Sequence, residues 1–272
     1  MYDSHIHSKN SHDSKQSLDD ICITAINKGL KAVSICDHAD GGLSIQQDTV
    51  NNIKNCIEDV KEARKKYGSE LKIIQGVELA EYLYDIKNSD IVLGLCNYDI
   101  IIGSVHTVIT EEFTDSYSRI DFSEKLPEDR IHFFLKTYLS RMKEMAEKTD
   151  FDVLAHLTCP IRYINGKYGR NIDIMRFEKE ITDILEIIIS RNIALEINTS
   201  GISETSVDGL LPNREIVSIY KKMNGKLITL GSDAHVSQNI GKGFGIAKEM
   251  LKNEGFKEYY YFEKRRPFPV SL

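Results

Sequence analysis

The sequence predicts an α/β fold of one domain over residues 1–272, and three observations predict it. Short apolar runs alternate with longer amphipathic ones along the chain. Several short runs are apolar on successive residues, the pattern of parallel strands covered on both faces. No fixed-period repeat and no low-complexity linker divides the 272 residues, a length that a single α/β barrel reaches.

Taken in chain order, a first strand covers 2–5 and an amphipathic helix 18–28, with Gly29 after it as a helix C-cap often is. Strand 32–36 follows, then a long helix over 47–67 that carries mixed charge on its outer face and ends before Gly68. Strands 71–77 and 100–105 come next. Pro127 breaks a polar stretch, and helix 130–148 begins beyond it. Strand 153–155, helix 177–191, strand 194–198, helix 213–223 (closed by Gly225), strand 227–230 and helix 245–252 complete the alternation. The Gly241-Lys-Gly243-Phe-Gly245 run lacks the full dinucleotide pattern and does not directly follow a strand, so it reads as the loop leading into that last helix. The basic run at 263–266 reads as a solvated tail. Seven strands alternating with helices fit both an open doubly wound sheet and a closed barrel.

Composition narrows the function. Hydrophobic residues make up 41% and charged residues 28%, as in an ordinary globular chain. The net charge of −6 argues against a broad nucleic-acid footprint, so no nucleic-acid partner is expected. No apolar run approaches the ~18–20 residues that span a bilayer, so no membrane is expected. The first residues hold neither a basic region nor an apolar core, and no secretory signal is expected. Cys22, Cys36, Cys56, Cys96 and Cys159 are odd in number and contain no Cys-x-x-Cys pair, which suits reduced thiols in a cytoplasmic protein.

The histidines carry the chemistry. Seven of the eight follow an apolar run or sit in a polar cluster directly after one: His5, His7, His12, His38, His106, His156 and His235. Glu78 and Asp233 share that position, and His132 alone lies on a helix away from any strand end. Polar residues at the same edge of a parallel barrel converge on one pocket. A single histidine there is most simply a satisfied polar side chain. Seven packed together without a cation would leave many buried polar atoms to satisfy. Neutral imidazole is the commonest metal ligand. His5 and His7, two apart on a strand, point to one face and can grip one ion. Asp3 and Asp37 read either as groups that orient imidazoles or as turn residues.

The motifs Asp3-Ser-His5-Ile-His7-Ser8, Asp37-His38, Gly-Val-Glu78, Ser-Val-His106, Ala-His156 and Gly-Ser-Asp233-Ala-His235 resemble those of the PHP family, whose name joins polymerase and histidinol phosphatase. Glu196-Ile-Asn198-Thr-Ser-Gly201, and Ala155-His156-Leu157 followed by Arg162, resemble its histidinol-phosphate phosphatase branch. The resemblance implies a distorted TIM-like (β/α)7 barrel holding up to three divalent transition-metal ions. It places His5, His7, Glu78 and Asp233 around one ion. Glu78, His106 and His156 surround a second, and His12, His38 and His235 a third, with Asp13 the alternative to His12. Nitrogen-rich ligands favour zinc, manganese or iron over calcium or magnesium.

Such a pocket carries roughly four net positive charges and attracts a small phosphorylated substrate despite the acidic surface. A hydroxide formed on the ions is the expected nucleophile, and paired ions clamp attacking and leaving oxygens. Asp233, Glu78 and His235 are the expected catalytic residues, with Asp233 or a neighbouring histidine protonating the leaving alkoxide. Arg162, six residues after His156, has a fork suited to phosphate. Glu196 and Asn198 share a strand face and are expected to meet a substrate amine or to orient a ligand, with an inward-facing structural pair as the plainer reading. Glu111 and Glu112 could meet a cationic group, but read more simply as a solvated loop.

The expected activity is hydrolysis of L-histidinol phosphate to L-histidinol and phosphate, a step of histidine biosynthesis. Three alternatives stay open: a PHP phosphoesterase acting on nucleotides or DNA ends, an amidohydrolase-type metal hydrolase, and a non-catalytic metal-binding PHP module. His12 and His38 are surplus to a two-metal amidohydrolase site, and the full set of donor residues weighs against a purely structural module. The sequence does not indicate the oligomeric state.

Overall fold

In the computed structural model, which describes residues 1–40, 47–202 and 209–272, the alternation seen in the sequence becomes a ring of parallel strands. The strands are β1 (Tyr2–Ile6), β2 (Ala32–Ile35), β3 (His38–Asp40), β4 (Lys72–Ala80), β5 (Ile100–Ser104), β6 (Val153–Leu154), β7 (Ala194–Asn198), β8 (Ile228–Gly231), β9 (Glu258–Glu263) and β10 (Arg266–Ser271). The parallel order is β1-β2-β4-β5-β6-β7-β8, with β3 added to β4 beyond the end of β2. The ring closes just past β8, where Ile6 pairs in parallel with Ala234 and the Asp233 N–H donates to the His5 carbonyl at 2.8 Å. This is a nearly closed, TIM-like (β/α)7 barrel, and closure settles the choice that periodicity left open.

The helices are α1 (Leu18–Asn27), α2 (Gln47–Tyr67), α3 (Ile86–Leu93), α4 (Glu128–Lys148), α5 (Cys159–Ile161), α6 (Glu178–Ser190), α7 (Arg214–Lys222) and α8 (Phe244–Asn253). Ser17 and Asp20 cap α1 reciprocally, each side chain taking the other's backbone N–H. The eight-residue α3, started by Asp85 accepting from the Asn88 N–H, is absent from the sequence expectation because its apolar residues are too few to set a period. Asn224, not Gly225, takes the left-handed conformation after α7, as Asn can.

Inside the barrel, Ala32, Cys36, Ile74, Ile100, Ile102, Val153, Ala155 and Ala194 form one apolar cluster with Phe262. Small and branched side chains fill the narrow interior, and each fully buried Ile or Val contributes about 1.5–3 kcal/mol. Phe262 comes from a C-terminal hairpin, β9–β10, which corrects the expected solvated tail. The hairpin seals the N-terminal end of the barrel. Tyr261 stacks on Tyr2 with ring centroids 4.5 Å apart, and the Arg265 guanidinium reaches both Asp150 and Asp152. With the floor closed, the polar C-terminal ends of the strands form the mouth of the barrel.

Candidate metal centre

Strand register builds the centre. His38 lies directly opposite Glu78 on adjacent strands, and Glu78 opposite Ile102 on the next. His5 and His7 project from the end of β1 on the same face. The Glu78 carboxylate is wholly buried and stands among five imidazoles. Its Oε2 lies 3.4 Å from His5 Nε2, 3.5 Å from His7 Nε2 and 2.9 Å from His38 Nδ1. Its Oε1 lies 3.2 Å from His106 Nε2 and 2.9 Å from His156 Nε2. Asp233 Oδ1 faces His7 Nε2 at 3.2 Å. His235 is tied through Nδ1 to the Asp233 carbonyl at 2.9 Å, and its Nε2 meets His38 Nε2 at 3.5 Å.

The backbone is bent to achieve this. Glu81, His156 and Asp233, all just past strand ends, adopt positive φ of 49°, 21° and 51°. Left-handed backbone in non-glycine residues costs on the order of 1–3 kcal/mol each and gathers where function requires it.

Hydrogen-bond partners set the tautomers of two of the rings. His5 Nδ1 lies 2.8 Å from Glu196 Oε1, and His7 Nδ1 lies 3.0 Å from Ser11 Oγ, whose hydroxyl donates to Asp37 Oδ1 at 2.8 Å. Each ring therefore carries its proton at Nδ1. Both Nε2 atoms then bear lone pairs, yet they face each other at 3.0 Å. Two lone pairs at that separation repel unless a proton or a metal ion sits between them. Burial, with His235 and His38 close by, pushes the His7 pKa down to about 3, so this ring stays neutral and ready to bind. Burial alone would raise the Glu78 carboxyl, but His106, His38 and His5 hold it well below the usual carboxylate range. Burial likewise opposes charge on His5, yet Glu196 and Glu78 raise its pKa well above the ordinary value. The negative field that would draw a proton there draws a divalent cation equally. Glu78 Oε2, His38 Nδ1 and His156 Nδ1 are buried without hydrogen-bond partners. The donor set fits metal ions, and four overlapping groups among the described residues lie within reach of one ion each: His5-His7-Asp233, His38-Glu78-His106, His7-His38-His235 and Asp40-Glu81-His106.

Several expectations change. His12 is exposed and stands outside these groups, its ring 5.1 Å from that of His38. Asp13, also exposed and outside these groups, brings Oδ2 to 3.1 Å from His235 Nε2 and 3.5 Å from His38 Nε2. Glu196 and Asn198 are wholly buried and lie off the wall of the cavity, on the ligand-orienting side of the readings open for them. Glu196 spends one oxygen on His5 and the other on the His156 N–H at 2.8 Å and the Asn198 amide at 3.1 Å. Gly231 makes room for this, since a Cβ there would sit 2.1 Å from Glu196 Oε1. Asp37 does support an imidazole, through Ser11. Asp3 instead accepts the Ser232 and Gly241 N–H groups at 3.0 and 2.9 Å and helps close the barrel. Glu112 is taken by Arg130. Asp40 and Glu81, absent from the sequence expectation, lie beside His106. Asp40 was findable, since it sits two residues after His38 on β3 and shares its face.

Above the imidazoles lies a cavity of 340 Å³. Arg162 lines it, with its guanidinium bonded to Ser200 Oγ and Tyr163 Oη and Nη1 3.9 Å from Asp233 Oδ2. Asp13, Asp40, Asp48, Asp115 and Asp233 outnumber Arg162 and Arg119 around the wall. Without cations this field repels an anion. Three divalent ions beside the ionised Glu78 would reverse it.

The PHP domain family matches residues 3–200 of the chain. The whole chain is 28% identical to the whole of a Thermotoga maritima protein named probable histidinol-phosphatase. It is 24% identical to a Lactococcus lactis protein named histidinol-phosphatase, over 96% of this chain and 93% of that one. The crystal structure of L. lactis histidinol phosphate phosphatase, complexed with zinc, L-histidinol and phosphate, superposes with a TM-score of 0.78 at 21% identity, covering 98% of each chain.

Proposed function

The chain belongs to the PHP domain family, and from that membership we propose that it is a metal-dependent phosphomonoesterase that hydrolyses L-histidinol phosphate to L-histidinol and phosphate. One observation carries the reading: a buried carboxylate, Glu78, with nitrogens of five imidazoles within 3.5 Å of its oxygens. The names and full-length coverage of the T. maritima and L. lactis relatives support the substrate. Bound divalent ions would supply positive charge for the phosphate and lower the pKa of an attacking water.

His5, His7 and Asp233 would hold one ion, and Glu78, His106 and His156 a second. Asp13, His38 and His235 would hold a third. Nitrogen-rich donors suit zinc, manganese or iron. Arg162 meets the phosphate with a fork held in orientation by Ser200 and Tyr163. Burial opposes ionisation of Asp233, but His7, His5 and His235 hold its carboxyl well below the usual range. Asp233 is thus ionised at neutral pH, able to accept a proton from the attacking water at Oδ2, beside Arg162, and to return it to the leaving alkoxide. His235, anchored by the Asp233 carbonyl, keeps that carboxylate's segment in place. The occupant is a small ester: five carboxylates around the mouth disfavour a long polyanion. Among the described residues, no helix is long and apolar enough to cross a membrane.

The test is a substrate panel on chelated and metal-restored protein. L-histidinol phosphate should exceed nucleotide monophosphates by at least about tenfold in kcat/KM, about 1.4 kcal/mol of transition-state preference. Nucleotides ahead by that margin would overturn the substrate, and turnover untouched by chelation would overturn the metal chemistry.

A further inference from the structure

Imidazoles that face the centre through one nitrogen are held from behind through the other: His5 by Glu196, His7 by Ser11, His235 by the Asp233 carbonyl. His106 turns Nε2 toward Glu78 at 3.2 Å, which leaves Nδ1 to be oriented. The carboxylate beside Nδ1 is Asp40, whose Oδ1 stands 3.4 Å away, buried and without a hydrogen-bond partner. The same oxygen lies 3.4 Å from His38 Nδ1, but that nitrogen has Glu78 closer, at 2.9 Å. The backbone of His106 is gripped separately. Glu81 Oε1 accepts the His106 N–H and, at 2.7 Å, the Thr107 N–H, while the Glu81 N–H donates to the Ser104 carbonyl at 3.2 Å. Glu81 is only 5% exposed and holds positive φ to make this span from the end of β4 to the end of β5.

We propose that Asp40 and Glu81 are the positioning residues of His106, Asp40 fixing the ring and its tautomer through Nδ1 and Glu81 fixing the peptide that carries it. The inference rests on the reading of His106 as a metal ligand. A proton on Nδ1, given to Asp40, leaves the Nε2 lone pair for the ion and makes it more basic. Asp40, Glu81 and His106 are also close enough to hold an ion of their own. That ion would require His106 to coordinate through both nitrogens, so the ring would have to lose its last proton. A hydrogen bond to Asp40 avoids that cost.

The test uses the full chain loaded with cobalt(II), read by metal content, by visible absorption and by chelator competition, with Asp40→Ala, Asp40→Asn, Glu81→Ala and Glu81→Gln. Asp40→Ala should bind the ion at His106 about 10–100-fold more weakly and change the cobalt spectrum. Asp40→Asn, whose amide oxygen still accepts from Nδ1, should recover most of that affinity. Glu81→Gln keeps an oxygen for both N–H groups and should resemble the parent, while Glu81→Ala loses the same ion. Should Glu81→Ala not fold, the Asp40 pair decides alone. With L-histidinol phosphate, kcat should fall in Asp40→Ala while KM stays within about twofold. Full metal content with an unchanged spectrum in Asp40→Ala would overturn the proposal. So would a rise in KM at normal metal content, which makes Asp40 a substrate contact, or a further ion in the parent that Asp40→Ala removes. The metal readouts need no substrate, so they hold even where the histidinol phosphate assignment fails.

Discussion

Glu196 and His5 stand 191 residues apart in the chain and 2.8 Å apart in the barrel, carboxylate Oε1 against imidazole Nδ1, both wholly buried. The contact fixes which nitrogen of His5 faces the centre, and the other Glu196 oxygen pins the His156 backbone. One carboxylate thus serves two strand ends without reaching the cavity. Glu196→Ala is expected to weaken metal binding about 10–100-fold while leaving KM for the substrate nearly unchanged. Chelator competition against steady-state kinetics checks this, and a KM effect with normal metal content would return Glu196 to substrate binding.

Arg162 is held over the cavity by Ser200 and Tyr163 rather than by a carboxylate at hydrogen-bond distance, so its charge remains available to an anion. Arg162→Ala should lower kcat/KM by about 10²-fold, and Arg162→Lys should recover little of it because an ammonium has no fork. Competitive inhibition by inorganic phosphate should weaken in parallel.

Stability should respond to pH in opposite directions with and without metal. In chelated protein, Glu78 and Glu196 raise His5 above its unfolded pKa against the effect of burial, and Asp40 and Glu78 do the same for His38. A raised imidazole stabilises below its unfolded pKa of about 6.5 and loses that contribution as pH rises through the folded value. The depressed Glu78 and Asp233 stabilise above about pH 4 and lose it below. His7, depressed, opposes from about pH 6.5 downward. Raised imidazoles outnumber the depressed one, so the Tm of metal-free protein should peak near pH 5–6 and fall toward pH 8. Metal-loaded protein should gain Tm over the same interval, as protons stop competing for the ligands. Scanning calorimetry at several pH values checks both slopes.

The hairpin floor should matter for stability and not for chemistry. Arg265 bonds Asp152, which burial pushes above its ordinary pKa against the pull of Arg265, and which also accepts the Ile101 N–H. Arg265→Ala should cost about 1–3 kcal/mol, read by denaturant unfolding, with kcat unchanged.

Much of this was legible in the sequence because parallel strands buried on both faces announce themselves as short unbroken apolar runs, and their polar ends mark the mouth. His5, His7, His38, Glu78, His106, His156, Asp233 and His235 were all placed by that rule, and the structure brings them together. Depth was not legible. An inward carboxylate such as Glu196 reads alike whether it meets substrate or supports an imidazole, until its full burial is known. The β9–β10 hairpin was hidden because its turn uses Lys264 and Arg265 at positive φ rather than Asn-Gly, held there by N–H donation to Asp99. Asp13 and His12 are neighbours in a short polar loop, where no period says which side chain turns inward.

Metal analysis of the purified chain beside Glu78→Ala tests the central claim most directly. The parent should carry two to three transition-metal ions per chain, and the variant should lose at least the ion shared with His106 and His156, together with its turnover. A parent that is fully active without metal, or a variant that keeps the parent's metal content, would contradict the account.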